Sequence, residues 1–418
     1  MKKESLWKLI ALSSVPFIMV LGNSMLIPVL PDMQKAMEIT KLQAGLSITL
    51  FSLPAGIAIP VMGFLADKYG RKPIILPALL LYATGGVLSG LAAWWWQSYP
   101  ILLAGRIIQG LGASGTGPIA MALVSDIFTS QERPKALGGL EAANGLGKVI
   151  SPILGAAIAL LIWYALFFVY AFLAVPAAVL IWLLIKEPPP EKGNQSVRAY
   201  LGKIKEIFQR KGKSLAGCYA AGSAVLLILF GLLSYLSDVL EKSYGLDGIV
   251  KGLALAVPVL AMSSTSFFGG RYLERQLGKI KYFIVLGLIL VAGPLGAFAL
   301  FPGDMVFFAG ILLLGLGTGL VLPGVNTLVT SSVPLEERGG ITALYGGVRF
   351  LGVAAGPPVF DFLLSLSKRT MFAGGALLAA LALGLALWLV NEQQLLQNLQ
   401  QGKSSGAGKP SRLSPEPT

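Results

Sequence analysis

Twelve runs of about 20 mostly apolar residues follow one another with short polar breaks between them, and that pattern constrains this chain most. They fall at about 8–30, 43–65, 74–95, 99–122, 137–160, 163–185, 215–238, 249–269, 282–301, 304–328, 340–364 and 370–391. Each matches the helix length needed to cross about 30 Å of hydrocarbon. In hydrocarbon the backbone amides must be satisfied within the protein, so spanning segments of this kind are helices. Composition agrees: 55% of the residues are hydrophobic and only 13% charged, with mean hydropathy +0.74. Soluble domains carry about 25% charged residues. The expected fold class is an all-α membrane protein with twelve transmembrane helices. The first run follows a short basic head and continues through Pro28 and Pro31 without a small-residue cleavage site, so it reads as a retained helix and not a signal peptide.

An even number of spans puts both termini on one side. If that side is the cytoplasm, the inner segments hold 24 Lys and Arg and the outer loops 6, a bias that sets the orientation by the positive-inside rule. The expected location is a cell membrane, bacterial in type, with both termini cytoplasmic. The net charge of +13 is then a membrane-topology signal, and no nucleic-acid partner is expected. Trp94-Trp95-Trp96 falls at the outer interface, where aromatic belts sit. The one long internal polar stretch, with Pro188-Pro189-Pro190 and mixed charge, divides the spans six and six. The expected organisation is a six-helix bundle over 1–186, a cytoplasmic linker over 187–214, a second six-helix bundle over 215–392 and a disordered tail over 393–418. Ala199 to Phe208 reads as a surface helix on anionic lipid.

The chain has no His and one Cys, Cys218, which excludes Ser-His-Asp chemistry, His-ligated metals, cysteine clusters and internal disulfides. No metal or cofactor is expected. Proton chemistry falls to carboxylates. There is no phosphate-binding Gly-x-x-x-x-Gly-Lys-Ser/Thr loop, so ATP is not the expected energy source.

The halves align on each other at an offset of 205. Gly110-Leu111-Gly112 meets Gly315-Leu316-Gly317, Pro118 meets Pro323, Glu132-Arg133 meets Glu337-Arg338, Gly147 meets Gly352 and Pro152 meets Pro357. Apolar composition can align helices by accident but does not explain a matched Glu-Arg in two short loops. Two repeated six-span halves are the signature of a secondary transporter with its site between them near the midplane.

The loop between spans 2 and 3 reads Gly63-Phe-Leu-Ala-Asp67-Lys-Tyr-Gly70-Arg71-Lys72. Its sharp turn calls for Gly70, and Asp67 with the basic residues can pair with neighbouring helix ends. Asp126, at the inner end of span 4, is the acid best placed for Arg71. A worn copy in the second half, Leu273 to Lys279, lacks an acid where Asp67 stands. In span 5, Gly147, Ser151 and Gly155 recur every four residues as a small-residue stripe, with Pro152 as a potential kink. Such a seam would block leakage between the halves.

These segments resemble the major facilitator superfamily, and within it the twelve-span drug:proton antiporters. The loop carries the superfamily signature. Leu21-Gly22 with Pro28-Val29-Leu30-Pro31 is similar to the family's span-1 motif. Leu102, Arg106, Gln109-Gly110 and Gly112 are similar to its span-4 motif, and Gly147, Ser151-Pro152 and Gly155-Ala156 to its span-5 motif, with Ser151 and Ala156 where Gly is usual. The opening segment also resembles Bacillus-type multidrug and bacillibactin exporters. The resemblance implies two six-helix bundles related by a pseudo-two-fold axis, and it associates Arg106 with proton transfer.

Charged side chains at span centres are costly and usually line cavities, and Arg106 in span 4 is one such candidate. Glu141, Asn144 and Lys148 are spaced i, i+3, i+7 on one face of span 5. Arg349 in span 11 is the repeat partner of Asn144, and Asp361 lies twelve residues further on. Asn23 and Asn326 are candidate uncharged cavity groups or inter-helix glue. Asp32, Asp238 and Glu241 read as outer-surface acids. The expected function is proton-coupled efflux of drugs or small organic metabolites such as siderophores, by alternating access, in a monomer whose partners are substrate, protons and lipid bilayer. Glu141 beside Lys148 is the expected switch. An importer of a nutrient or organic anion, or a flippase for a lipid-linked amphiphile, would suit the same fold; an intramembrane enzyme would need a catalytic set that the sequence lacks.

Overall fold

The computed structural model describes residues 3–128, 132–187, 197–301, 303–334 and 338–396. Among the described residues, twelve helices are long and apolar enough to cross a membrane. Spans 1 to 6 are Glu4–Met37, Lys41–Tyr69, Lys72–Trp96, Tyr99–Ile127, Lys135–Ala159 and Ala165–Leu184. Spans 7 to 12 are Gly202–Lys242, Gly248–Leu273, Ile280–Leu300, Val306–Ser331, Arg338–Leu366 and Lys368–Leu389. The end of the molecule at which the chain enters span 1 is called the inner end below, and the opposite one the outer end.

Two spans are interrupted where the sequence reading had them continuous. Span 1 is helical over Lys3–Ser24, tightens to a 3-10 turn over Ile27–Val29, and resumes over Leu30–Met37. Pro28 and Pro31 supply no backbone N–H, which explains the break. Span 4 divides into Tyr99–Ser114 and Gly117–Ile127, with Pro118 in the first turn of the second piece. The linker also differs from expectation. Val197–Lys242 is one helix carrying the amphipathic segment straight into span 7. The rings of Phe208 and Tyr219 nevertheless lie 6.0 Å apart. Eleven residues of straight helix would separate their Cα atoms by about 16 Å, so the helix bends sharply near Gly212. Beyond the bend, Tyr200 packs on Phe64 of span 2, with ring centroids 5.0 Å apart. Pro188-Pro189-Pro190 and Glu337 lie outside the described residues. At the other end of the chain, residues 392–396 are helical and Leu395 and Leu396 are buried, four residues into the stretch expected to be disordered; 397–418 lie outside the described residues.

The internal repeat appears as repeated helix pairing. In the first half span 3 packs on spans 4 and 6, span 1 on span 5, and span 2 on span 4. In the second, span 9 packs on spans 10 and 12, span 7 on span 11, and span 8 on span 10. The halves meet chiefly through span 2 against span 11 and span 5 against span 8. Matched glycines do matched work: a Cβ at Gly110 would strike the Phe51 carbonyl of span 2, and one at Gly315 the Pro258 carbonyl of span 8.

Candidate functional site

The break in span 1 creates the first polar site. Because the helix ends there, Leu26 N–H donates to Asn23 O rather than to the Gly22 carbonyl four residues back. Arg106 uses that carbonyl. Its Nη2 donates to Gly22 O (2.8 Å) and Asn23 Oδ1 (3.1 Å), Nη1 to Gln109 Oε1 (2.6 Å) and Nε to Ser47 O (2.9 Å). The guanidinium also lies 4.5 Å from the Phe51 ring centroid. Asn23 passes the network on by donating from Nδ2 to Ser52 Oγ (2.6 Å). Arg106 is 0% exposed and, among the described residues, no carboxylate pairs with it. Charge-assisted hydrogen bonds, about 1.5–3 kcal/mol each, stand in for a counter-ion. Expected as a cavity group, Arg106 instead knits spans 1, 2 and 4 together, with Asn23 as its partner.

A second cluster lies where the halves face each other. Lys148 of span 5 is within Coulombic reach of both Glu141 on its own helix and Arg349 of span 11. Arg349 sits 5.4 Å over the Tyr345 ring, which stacks on Tyr219 of span 7 at 5.5 Å. Asn144 Oδ1, Arg349 Nε and the Tyr345 hydroxyl are buried without hydrogen-bond partners. Positions 144 and 349 are equivalents in the repeat, so each half presents an unsatisfied polar atom from the same place. Lys148 is 13 residues from one end of its span and 11 from the other, about 16–20 Å, which sets it near the midplane. Glu141 is exposed and makes no ion pair among the described residues, so the expected Glu141–Lys148 pair is not closed by contact. Asn326 does not join the cluster: it is exposed near the inner end of span 10, where its carbonyl accepts from Thr330 Oγ1 (2.8 Å).

At the inner end, Gly70 has φ +99°, a conformation that disfavours any side chain. The turn lets Arg71 reach both Asp67 (3.7 Å) and Asp126, with which it forms an ion pair, while Nη1 also donates to Ala122 O (2.9 Å). Asp67 lies against the first turn of span 11, where a Cβ on Gly339 would come 3.2 Å from Oδ2. There the carboxylate meets the positive end of a helix from the other half. Gly63 lets span 2 approach Ala343 of span 11.

Sequence reasoning missed the residue that braces this turn. Glu187, just past span 6, accepts from the backbone N–H groups of Arg71 (2.6 Å) and Lys72 (2.8 Å). Lys72 Nζ returns the contact by donating to Trp182 O (2.9 Å) and Ile185 O (2.6 Å) at the end of span 6. The second half repeats the clasp: Glu392 accepts from Ile280 N (3.0 Å) and Lys281 N (3.3 Å), and Lys281 Nζ donates to Leu387 O and Val390 O, both at 2.8 Å. Glu187 and Glu392 are 205 apart, the offset that aligns the halves, so the signal was in the repeat.

The span-5 stripe divides its work differently from expectation. Gly147 packs on Phe17 and Gly155 on the Met25 carbonyl, both of span 1 in the same half, and Ser151 Oγ donates back to Gly147 O. The seam with the other half uses the adjoining face, where Pro152 and Ala156 lie against Gly252 of span 8. The outer acids also prove to be more than surface groups. Lys41 of span 2 lies 2.8 Å from Asp238 of span 7 and 3.4 Å from Asp361 of span 11. Glu241 of span 7 takes Lys35 from the first half and Lys251 (2.7 Å) from span 8. These pairs tie the halves together at the outer end.

Two repeated six-helix halves, joined by spans 2, 5, 8 and 11 around unsatisfied polar atoms near the midplane, define a membrane transporter. The chain belongs to the Major Facilitator Superfamily, whose family model matches residues 12–357 and again 219–414. It is 38% identical over 391 residues to the Bacillibactin exporter of Bacillus subtilis (strain 168), covering 92% of this chain and 97% of that protein. It is 27% identical over 407 residues to Multidrug resistance protein 1 of the same organism, covering 93% and 96%. Among solved structures, a bacterial homolog of the human lysosomal transporter Spinster shares the fold with TM-score 0.74 at 18% identity, covering 95% of this chain and 99% of that one.

Proposed function

We propose that the chain is a proton-driven exporter of small organic molecules bearing an anionic or strongly hydrogen-bond-accepting group, siderophores among them. It works by alternating access, as a monomer in the bacterial cell membrane with both termini in the cytoplasm. One observation carries the substrate class: Lys148 and Arg349, one from each half, with the partnerless Asn144 Oδ1 one turn from Lys148 on span 5. Two cations in a medium of low effective dielectric attract an anion, and repel a lipophilic cation, more strongly than in water. Drawing the site from both halves lets the substrate feel their relative movement. The tied outer end fits a state open toward the cytoplasm, with Asp67 and Arg71 governing closure of the inner end. The exporter and multidrug relatives support the outward direction.

The test is uptake into everted vesicles of a siderophore and of a lipophilic cation. Lys148→Ala is expected to raise the half-saturating siderophore concentration about tenfold, the loss of about 1.4 kcal/mol of binding. A protonophore at constant ATP is expected to abolish uptake. A lipophilic cation as the better substrate, with Lys148→Ala indifferent, would overturn the substrate class. Undiminished uptake without a proton gradient would overturn the coupling.

A further inference from the structure

The outer tie is built unevenly, and the unevenness points to a proton site. Two carboxylates of the second half, Asp238 and Asp361, share one lysine of the first, Lys41. Their side chains are only 10% and 6% exposed. Asp238 has a second cation, Lys242, 3.7 Å away on its own helix. Asp361 has none: Oδ1 meets Lys41, and Oδ2 is buried without a partner.

The other charged groups around it are engaged elsewhere or exposed. Glu241 is held between Lys35 and Lys251, and Asp32 lies within their field. Tyr235 offers its ring to Lys41 at 5.5 Å. Lys368 and Arg369, which open span 12, are exposed and form no ion pair with Asp361.

Lys41 belongs to the first half, whereas Asp361 and Asp238 belong to the second. Parting the halves at the outer end therefore withdraws Lys41 and leaves two adjacent carboxylates with only Lys242, which serves Asp238. A carboxylate beside another and stripped of its cation takes up a proton more readily. We propose that Asp361 is a proton-binding site, at which Lys41 and a proton from the outer side compete for one carboxylate, so that protonation and opening of the outer end are linked. The proposal rests on the proton-driven reading above and supplies a site for the proton. Its test reads conformation without substrate, so either can fail alone.

Spin labels at Leu161→Cys and Ser243→Cys report the outer opening, because both positions are exposed at the outer end, one on each half, while the native Cys218 is buried. Distances are measured by pulsed EPR in lipid nanodiscs from about pH 8 to about pH 5. In the otherwise unaltered protein the longer-distance population is expected to grow as pH falls, with a limiting slope of about tenfold per pH unit in the parted-to-tied ratio for one linked proton. Asp361→Asn should favour the longer distance at every pH and lose the response. Lys41→Gln, which removes the competitor, should raise the longer-distance population at pH 8, and it serves if Asp361→Asn does not fold. Lys368→Gln should keep the pH response, because Lys368 is exposed and forms no ion pair with Asp361. A pH-independent distribution in the unaltered protein, an unchanged response in Asp361→Asn or Lys41→Gln, or loss of the response in Lys368→Gln would each overturn the proposal.

Discussion

The two halves close their inner ends with the same clasp, yet among the described residues only the first builds a latch on it. In both, a glutamate beyond the sixth helix of the half accepts two N–H groups at the start of the third, and a lysine there donates back to the end of the sixth. In the first half Arg71 follows the turn and engages Asp67 and Asp126. In the second, Ile280 and Lys281 receive Glu392; Ile280 is buried, and Lys279 lies 6.0 Å over the Tyr272 ring at the exposed surface. The clasp is thus a device for helix assembly, needed twice. On the gating proposed above the latch serves movement, and its Asp67 abuts span 11 of the opposite half.

Mutations should separate the two, and the latch should show the largest effect. Arg71→Ala and Asp126→Asn are expected to cut initial transport rates at least tenfold with normal membrane insertion, whereas Lys279→Ala stays near the parent rate. Vesicle transport normalised to protein content measures this. Equal losses at Arg71 and Lys279 would mean that both halves carry a latch.

The clasps come next, and here the halves should behave alike. Glu187→Gln and Glu392→Gln each replace a charged acceptor at a helix start by a neutral one, at an expected cost of about 1–3 kcal/mol. Thermal unfolding of the detergent-solubilised protein should show similar destabilisation in both. Only Glu187→Gln should also slow transport, because it loosens the turn that aims Arg71.

The turn itself offers a smaller contrast. Gly70→Ala must place a Cβ at φ +99° and 3.2 Å from Glu187, whereas Gly278 has open space around it and no positive φ. The expected stability loss is about 1–2 kcal/mol at Gly70 and within 0.5 kcal/mol at Gly278. Comparable losses would show that the second turn is as constrained as the first.

How much of this was legible in the sequence depends on whether an element repeats or follows a local rule. The twelve spans, the 205-residue repeat and the glycine demanded at position 70 follow from apolar length, internal alignment and backbone sterics. Asp126 could be matched to Arg71 because both fall at the same end of adjacent spans. What could not be read was direction around a helix axis. Arg106 looks like a cavity charge until the break in span 1 frees the Gly22 carbonyl to hold it. The Gly147 stripe looks like an inter-half seam until span 1 is found upon it. Lys41, at the start of span 2, bridges two acids more than 190 residues away in the chain, and such pairings appear only when the halves are docked.

One element has no counterpart in the other half, and it yields the smallest effect. The start of the long helix leading into span 7 lies across the inner ends of spans 2 and 11, where Tyr200 packs on Phe64, and a Cβ on Gly340 would come 2.9 Å from its hydroxyl. That hydroxyl is buried without a partner. Burial first, and then the charge of Asp67, push the Tyr200 phenol up to about 12 from 10.0. The protonated phenol is therefore favoured by the folded state, and its contribution to stability is fully present below pH 10 and is lost as pH rises through about 12. At neutral pH Tyr200→Phe should leave transport and stability within about 0.5 kcal/mol of the parent, since it removes a hydroxyl that satisfies nothing. Between pH 10 and pH 12 the variant should lose less stability than the parent, because it has no phenol to ionise. Unfolding midpoints across that range decide the matter. A loss of transport at neutral pH would instead make the hydroxyl part of the inner latch, and the first half's advantage over the second would then extend into the linker.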